Sequence, residues 1–175
     1  EVRDNVATGG RYGLHFMYSD NAVVERNQLT DNSVGAFMMY SRDLILRDNV
    51  MARNNGPSGF GIGFKDVDGV RASGNWFIDN RVGIHLDNSP WSYDKWQTFT
   101  GNLFAYNEIG IGFLPAVQRN TFSGNAFVDN GDQVAVFGGG NFKGNEWTLD
   151  GTGNYWSDFA GYDADGDGIG DIPYR

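Results

Sequence analysis

Residues Asn27–Ser41 read NQLTDNSVGAFMMYS, and they contain one complete statement of a unit that recurs through the chain. Asn27 is followed five residues later by Asn32, and Gly35 comes three after that. A short run with alternating faces then follows. The frame returns as Asn75–Asn80–Gly83 and Asn102–Asn107–Gly110, and as Asn49–Asn54–Gly61 with four extra residues before the glycine. Asn5 and Gly13 carry a degenerate first copy, and Asn125–Asn130–Gln133 a late copy without the glycine. The leading asparagines are 22, 22, 26, 27 and 23 residues apart. Periods of this size mark a solenoid, in which each unit buries its apolar face only against its neighbours.

Aligned on the glycine, the copies separate into faces. One residue on stand Leu14, Ala36, Ile62, Ile84, Ile111 and Val134, and three residues on stand Phe16, Met38, Phe64, Leu86, Phe113 and Val136. Both columns are apolar throughout and predict an inward face. Strict alternation is the strand period, and a helix would not keep it. The outward columns are His15, Phe37, Gly63, His85, Gly112, Ala135 and Met17, Met39, Lys65, Asp87, Leu114, Phe137. Val23, Leu29, Ile45, Val70 and Phe77 are expected to form a second inward strand. The fold predicted is all-β, a right-handed parallel β-helix of about six to seven coils over residues 1–160, followed by an acidic tail over 161–175. The asparagine columns are expected to form amide ladders at the corners. Tyr155, Trp156 and Phe159 are expected to close the far end of the core.

Composition agrees. The chain has 175 residues, enough for one packed domain. Asn occurs 18 times and Gly 26 times, and both tolerate the left-handed backbone that frequent turns require. Hydrophobic content is ordinary, which excludes disorder, and no run is apolar enough to span a membrane. A net charge of −9 argues against nucleic acid or an anionic membrane surface as partner and is compatible with cations. The absence of cysteine excludes disulfides and thiolate metal sites. The chain opens inside a repeat, without Met or signal peptide, and so reads as the C-terminal portion of a longer protein.

Three groups could carry chemistry. In the tail, Asp163, Asp165 and Asp167, then Gly168, Ile169 and Asp171, form the front of a calcium loop, where alternate carboxylates offer hard oxygen ligands. The twelfth position, where an EF-hand needs Glu, is Tyr174, so a looser structural loop is expected. The second group is His15, Met17 and Met39 on the outward face. Two thioethers and an imidazole on neighbouring coils favour Cu(I), because soft sulfur donors select soft ions; the plain alternative is an apolar contact patch with Phe37. Met38 points inward and Met51 lies off this face. The third group is Lys65, Asp66, Asp68, His85 and Asp87. It suits a lyase or glycan binder, with Trp91, Tyr93 and Trp96 on the Asn88–Gln97 loop, although Lys65 and Asp87 one coil apart also suit a simple ion pair. Such loops often form the binding face of a solenoid, and the same aromatics could instead cover the coils. No nucleophile motif surrounds either histidine.

Four stretches, GRYGLHFMYSDN (Gly10–Asn21), VGAFMMYSRDL (Val34–Leu44), GIGFKDVDGV (Gly61–Val70) and GNYWSDFAGYDADGDGIGDIPYR (Gly153–Arg175), resemble the NosD family. The resemblance extends over essentially the whole chain and corresponds to the family's C-terminal part. It implies a β-helix of the carbohydrate-binding and sugar-hydrolysis type, periplasmic, that assists copper supply to nitrous oxide reductase. It further implies an ABC transporter and a copper chaperone lipoprotein as partners and no enzymatic activity. A pure scaffold docking the reductase or transporter is the rival within that picture.

Overall fold

The computed structural model describes residues 1–174; Arg175 of the tail lies outside the described residues. The chain winds through six coils of three short strands each. Coil 1 holds β1 (Val2–Arg3), β2 (Val6–Thr8) and β3 (Tyr12–Met17). Coil 2 holds β4 (Val23–Glu25), β5 (Gln28–Thr30) and β6 (Val34–Met39). Coil 3 holds β7 (Ile45–Arg47), β8 (Val50–Ala52) and β9 (Phe60–Lys65), and coil 4 holds β10 (Arg71–Ser73), β11 (Trp76–Ile78) and β12 (Val82–Asp87). Coil 5 holds β13 (Gln97–Thr100), β14 (Leu103–Ala105) and β15 (Ile109–Phe113), and coil 6 holds β16 (Asn120–Ser123), β17 (Ala126–Val128) and β18 (Asp132–Val136). A last strand, β19 (Tyr155–Trp156), adds to the middle sheet. Every strand pairs in parallel with its counterpart in the next coil, giving three sheets around one core. The architecture is the parallel β-solenoid expected, with three faces per coil where two were read.

The inward face of the third sheet follows the expected columns: Ala36, Met38, Ile62, Phe64, Ile84, Leu86, Ile111 and Phe113 are all buried. The first sheet corrects the reading. Val24 and Leu46 point into the core, whereas Val23 and Ile45 are only half-buried. In coils 2 and 3 these strands are three residues long and are followed by Arg26 and Asp48, which take φ near 51° and 56°. Those left-handed residues reset the alternation at each corner, so a phase carried over from a neighbouring strand lands one residue off.

Two columns of rings run along the core. Phe77, Phe104 and Phe127 stack at 5.0 and 4.8 Å, and Trp156 closes the column at 4.3 Å from Phe127. Phe99 and Phe122 stack at 4.9 Å, and Trp147 covers Phe122 at 4.8 Å. Each fully buried phenyl ring contributes roughly 1.5–3 kcal/mol. The end of the core is therefore sealed by Trp147 and Trp156. Tyr155 faces solvent, and Phe159 instead packs against the tail, where its ring would collide with a Cβ at either Gly161 or Gly170.

Corner polarity is resolved by amide ladders. Asn27, Asn49, Asn75, Asn102 and Asn125 each donate through Nδ2 to the Oδ1 of the next asparagine at 2.9–3.0 Å. The same Nδ2 donates to a carbonyl of the coil before, as Asn75 does to Leu46. Asn54, Asn80 and Asn107 form a second ladder with the same bonds. The first ladder extends to Asn154, and a third corner uses Ser41 and Ser89 and then Asn120 with Asn145.

Candidate functional site

The outer face of the third sheet carries two columns of side chains in strict register. His15, Phe37, Gly63, His85 and Gly112 are successive partners across β3, β6, β9, β12 and β15. Met17, Met39, Lys65 and Asp87 are partners in the adjoining column. A third outward column, which the alternation about the glycine did not reveal, holds Tyr12, Val34, Phe60 and Val82. Gly13 drops out of the pairing between Tyr12 and Leu14, and only glycine fits there, since a Cβ would stand 2.5 Å from the Gly35 carbonyl oxygen. This skipped residue is why Tyr12 points the same way as His15.

From coil 3 onward this face is closed by the chain's own rings. Phe37 lies across Gly63, with ring carbons 2.4 Å from where a Cβ would stand, and Phe137 lies across Gly112 in the same way. His85 stacks on Phe60 at 4.3 Å and meets Phe137 at 5.6 Å. Its Nδ1 is buried without a hydrogen-bond partner, and burial holds its pKa below the ordinary histidine value. Lys65 donates to Asp87 at 2.9 Å, and that bond raises the lysine pKa. Asp66 accepts from Asn88. The charged set thus consists of an ion pair, a corner hydrogen bond and a histidine enclosed by aromatics.

At coils 1 and 2 the face is open. His15 Nε2 stands 3.5 Å from Met39 Sδ. Tyr12 stacks on the imidazole at 4.8 Å with 25° between the rings, and Phe37 lies 6.2 Å away at 22°. Met17 is Met39's partner in coil 1 and is 47% exposed, while Met39 is half-buried. His15 and Met39 are thus in direct side-chain contact across adjacent coils.

The loop between β12 and β13 is tied down by Asp68. This carboxylate is buried and accepts the Trp91 and Ser92 N–H groups at 2.9 and 3.0 Å as well as the Ser92 hydroxyl. Its polar role is structural. Of the aromatics it presents, Tyr93 is 90% exposed, whereas Trp91 and Trp96 are a little more than half covered. The guanidinium groups of Arg42 and Arg119 lie over Trp91 and Tyr93 at 5.6 and 5.3 Å.

A family profile described as "Periplasmic copper-binding protein (NosD)" matches residues 1–161. The chain belongs to the NosD family. A relative from Pseudomonas aeruginosa, named "Probable ABC transporter binding protein NosD", is 36% identical over 113 residues, 62% of this chain and 24% of its own length. One of the same name from Stutzerimonas stutzeri is 32% identical over 148 residues, 79% of this chain and 33% of its own. The chain thus spans about a quarter to a third of those NosD proteins. No helix among the described residues is long and apolar enough to cross a membrane.

The acidic tail falls almost wholly beyond the stretch matched to NosD. Carboxylate oxygens of Asp163, Asp165 and Asp167 lie within 4.8 Å of one another. Asp163 accepts the N–H groups of Gly166, Asp167 and Gly168, and these bonds hold its pKa below the usual carboxylate value. Asp171 is turned to the Ala164 N–H at 2.7 Å, and the Ile169 side chain is exposed. The tail is pinned by Tyr174, which stacks on Trp156 at 4.3 Å and donates to Asp158 at 2.9 Å; burial raises its hydroxyl pKa to about 12.

Proposed function

We propose that this portion of a periplasmic NosD protein carries Cu(I) as cargo on the outer face of coils 1 and 2, with His15, Met39 and Met17 as ligands. The observation that carries the reading is the 3.5 Å approach of His15 Nε2 to Met39 Sδ on a face that is otherwise closed by its own rings. Thioether and imidazole donors suit Cu(I), and the absence of any carboxylate in their column at these two coils gives harder ions little hold. The site is shallow and has few ligands, which suits hand-over better than storage.

In this reading the protein is a maturation factor and not an enzyme. It assists copper delivery to nitrous oxide reductase, with an ABC transporter and a copper chaperone lipoprotein as partners. The names of the relatives support the transporter. A lyase or glycan-binding reading is less well supported, because Lys65 and Asp87 neutralise each other and His85 is enclosed. The exposed Trp91, Tyr93 and Trp96 favour a second role for the same protein, as a docking edge for those partners. The tail loop would hold Ca²⁺ structurally through Asp163, Asp165 and Asp167, the carboxylates already gathered there, with the Ile169 carbonyl and Asp171 completing the set.

An anaerobic Cu(I) competition titration tests the cargo site. The wild-type chain is expected to take about one equivalent, because a single His/Met₂ donor set of the soft kind is available. Met17→Ala/Met39→Ala is expected to lose it while keeping the far-UV spectrum. Equal binding by the two proteins would refute the site.

A further inference from the structure

The two methionines occupy one column in adjacent coils, yet their surroundings differ. Met39 is half-buried and its sulfur touches His15. Met17 is 47% exposed. The His15 ring is held from the side by Tyr12 at 4.8 Å, and Arg11 lies over that tyrosine at 5.3 Å. Phe37 lies 6.2 Å from the imidazole and 6.3 Å from Tyr12, so the three rings form a triangle, and Gly63 lets Phe37 lie flat: its ring fills the space that a Cβ would need. Offset stacking of this kind fixes orientation as well as adding contact energy.

We infer that the copper site has a fixed half and an exchanging half: His15 and Met39 hold the ion, Tyr12 positions His15, and Met17 is the ligand that opens to let Cu(I) enter and leave. This deepens the cargo reading and rests on it. Hand-over is then a ligand substitution. A donor atom of the acceptor forms a bond to copper as the Met17 sulfur–copper bond breaks. Copper stays Cu(I), and no electron or proton is left over. Tyr12 is a positioning residue, since it acts only through the imidazole. A residue that orients a metal-bound histidine typically changes affinity by about 10–100-fold when removed.

The test is anaerobic Cu(I) affinity and the rate of Cu(I) transfer to a chromogenic chelator, on the folded chain and single variants. Met39→Leu is expected to lose at least about tenfold more affinity than Met17→Leu, on the scale by which such ligand shells act. Met17→Leu is expected to transfer faster than wild type, because no bond has to be displaced. Tyr12→Leu is expected to weaken binding by about tenfold or more, and Tyr12→Phe, which keeps the ring, to restore it. Equal losses for the two methionine variants would overturn the division of roles. Binding by Tyr12→Leu as tight as wild type, or failure of Tyr12→Phe alongside it, would overturn the positioning role. A wild-type chain that takes no Cu(I) is a different outcome and removes the cargo reading itself.

Discussion

Asn75 is the middle rung of the first ladder, and truncating it gives a sharp test of what holds the coils in register. The side chain is fully buried. Its Nδ2 donates to Leu46 O and Asn102 Oδ1, both at 3.0 Å. Its Oδ1 accepts the Asn49 N–H at 3.0 Å and Asn49 Nδ2 at 2.9 Å. In Asn75→Ala, Asn49 Nδ2 keeps Val24 O, and Asn102 Oδ1 keeps the Asn75 N–H. The buried Asn49 N–H loses its acceptor. One orphaned buried donor costs about 1–3 kcal/mol and each of the three other lost bonds about 0.5–1.5 kcal/mol, so the expected loss is about 2.5–7.5 kcal/mol. That is a large part of a typical stability of about 5–15 kcal/mol. Asn75→Asp should cost more than Asn75→Ala, because a carboxylate cannot donate and would face two oxygens while buried. Asn5→Ala, at the exposed first rung, should cost under about 1 kcal/mol. Urea unfolding followed by tryptophan fluorescence reads all three. A loss below about 1 kcal/mol for Asn75→Ala, or an Asp variant more stable than the Ala variant, would refute the ladder as the source of register.

Further outcomes are expected. His85 has a depressed folded-state pKa, so below its ordinary value of 6.5 the unfolded chain binds a proton that the folded chain resists; stability should fall as pH drops through that value, and His85→Leu should flatten the slope in denaturation midpoints. Gly63→Ala should push the Phe37 ring off the face, costing about 1–3 kcal/mol by overpacking and weakening Cu(I) binding, read by thermal melting and titration. Asp68→Ala should release the Trp91–Tyr93 loop, and chymotrypsin should then cut there far faster while the coils stay intact. Calcium should raise the melting midpoint of the wild-type chain by linkage and leave Asp163→Asn unmoved, as calorimetry with and without chelator would show.

Much of the coil geometry was legible because it rests on two short-range rules. Alternation about Gly35 assigns Met38 inward and Met39 outward, and the structure agrees. Asparagines at a fixed period announce ladders. The rest was hidden at the corners. A left-handed Arg26 or Asp48 shifts the phase by one residue, which is why Val24 and Leu46 are core and Val23 and Ile45 are not. The skipped Gly13 conceals that Tyr12 shares a face with His15. Asp68 looked available for chemistry because its partners are backbone N–H groups of a distant loop, which no spacing reveals. The meeting of His15 and Met39 was legible as a register, but their separation depends on the rings of Tyr12 and Phe37, and ring placement is a matter of packing.

The ladder amides keep the same 2.9–3.0 Å spacing whether the chain between them runs 22, 26 or 27 residues. Length added between rungs is absorbed in loops and never reaches the sheets. The solenoid therefore behaves as a rack with fixed pitch, and a patch written in two columns of one sheet is addressed by coil number alone. To move such a patch along the axis is to move its flanking rings and the glycine that seats them as well, while the fold beneath stays the same.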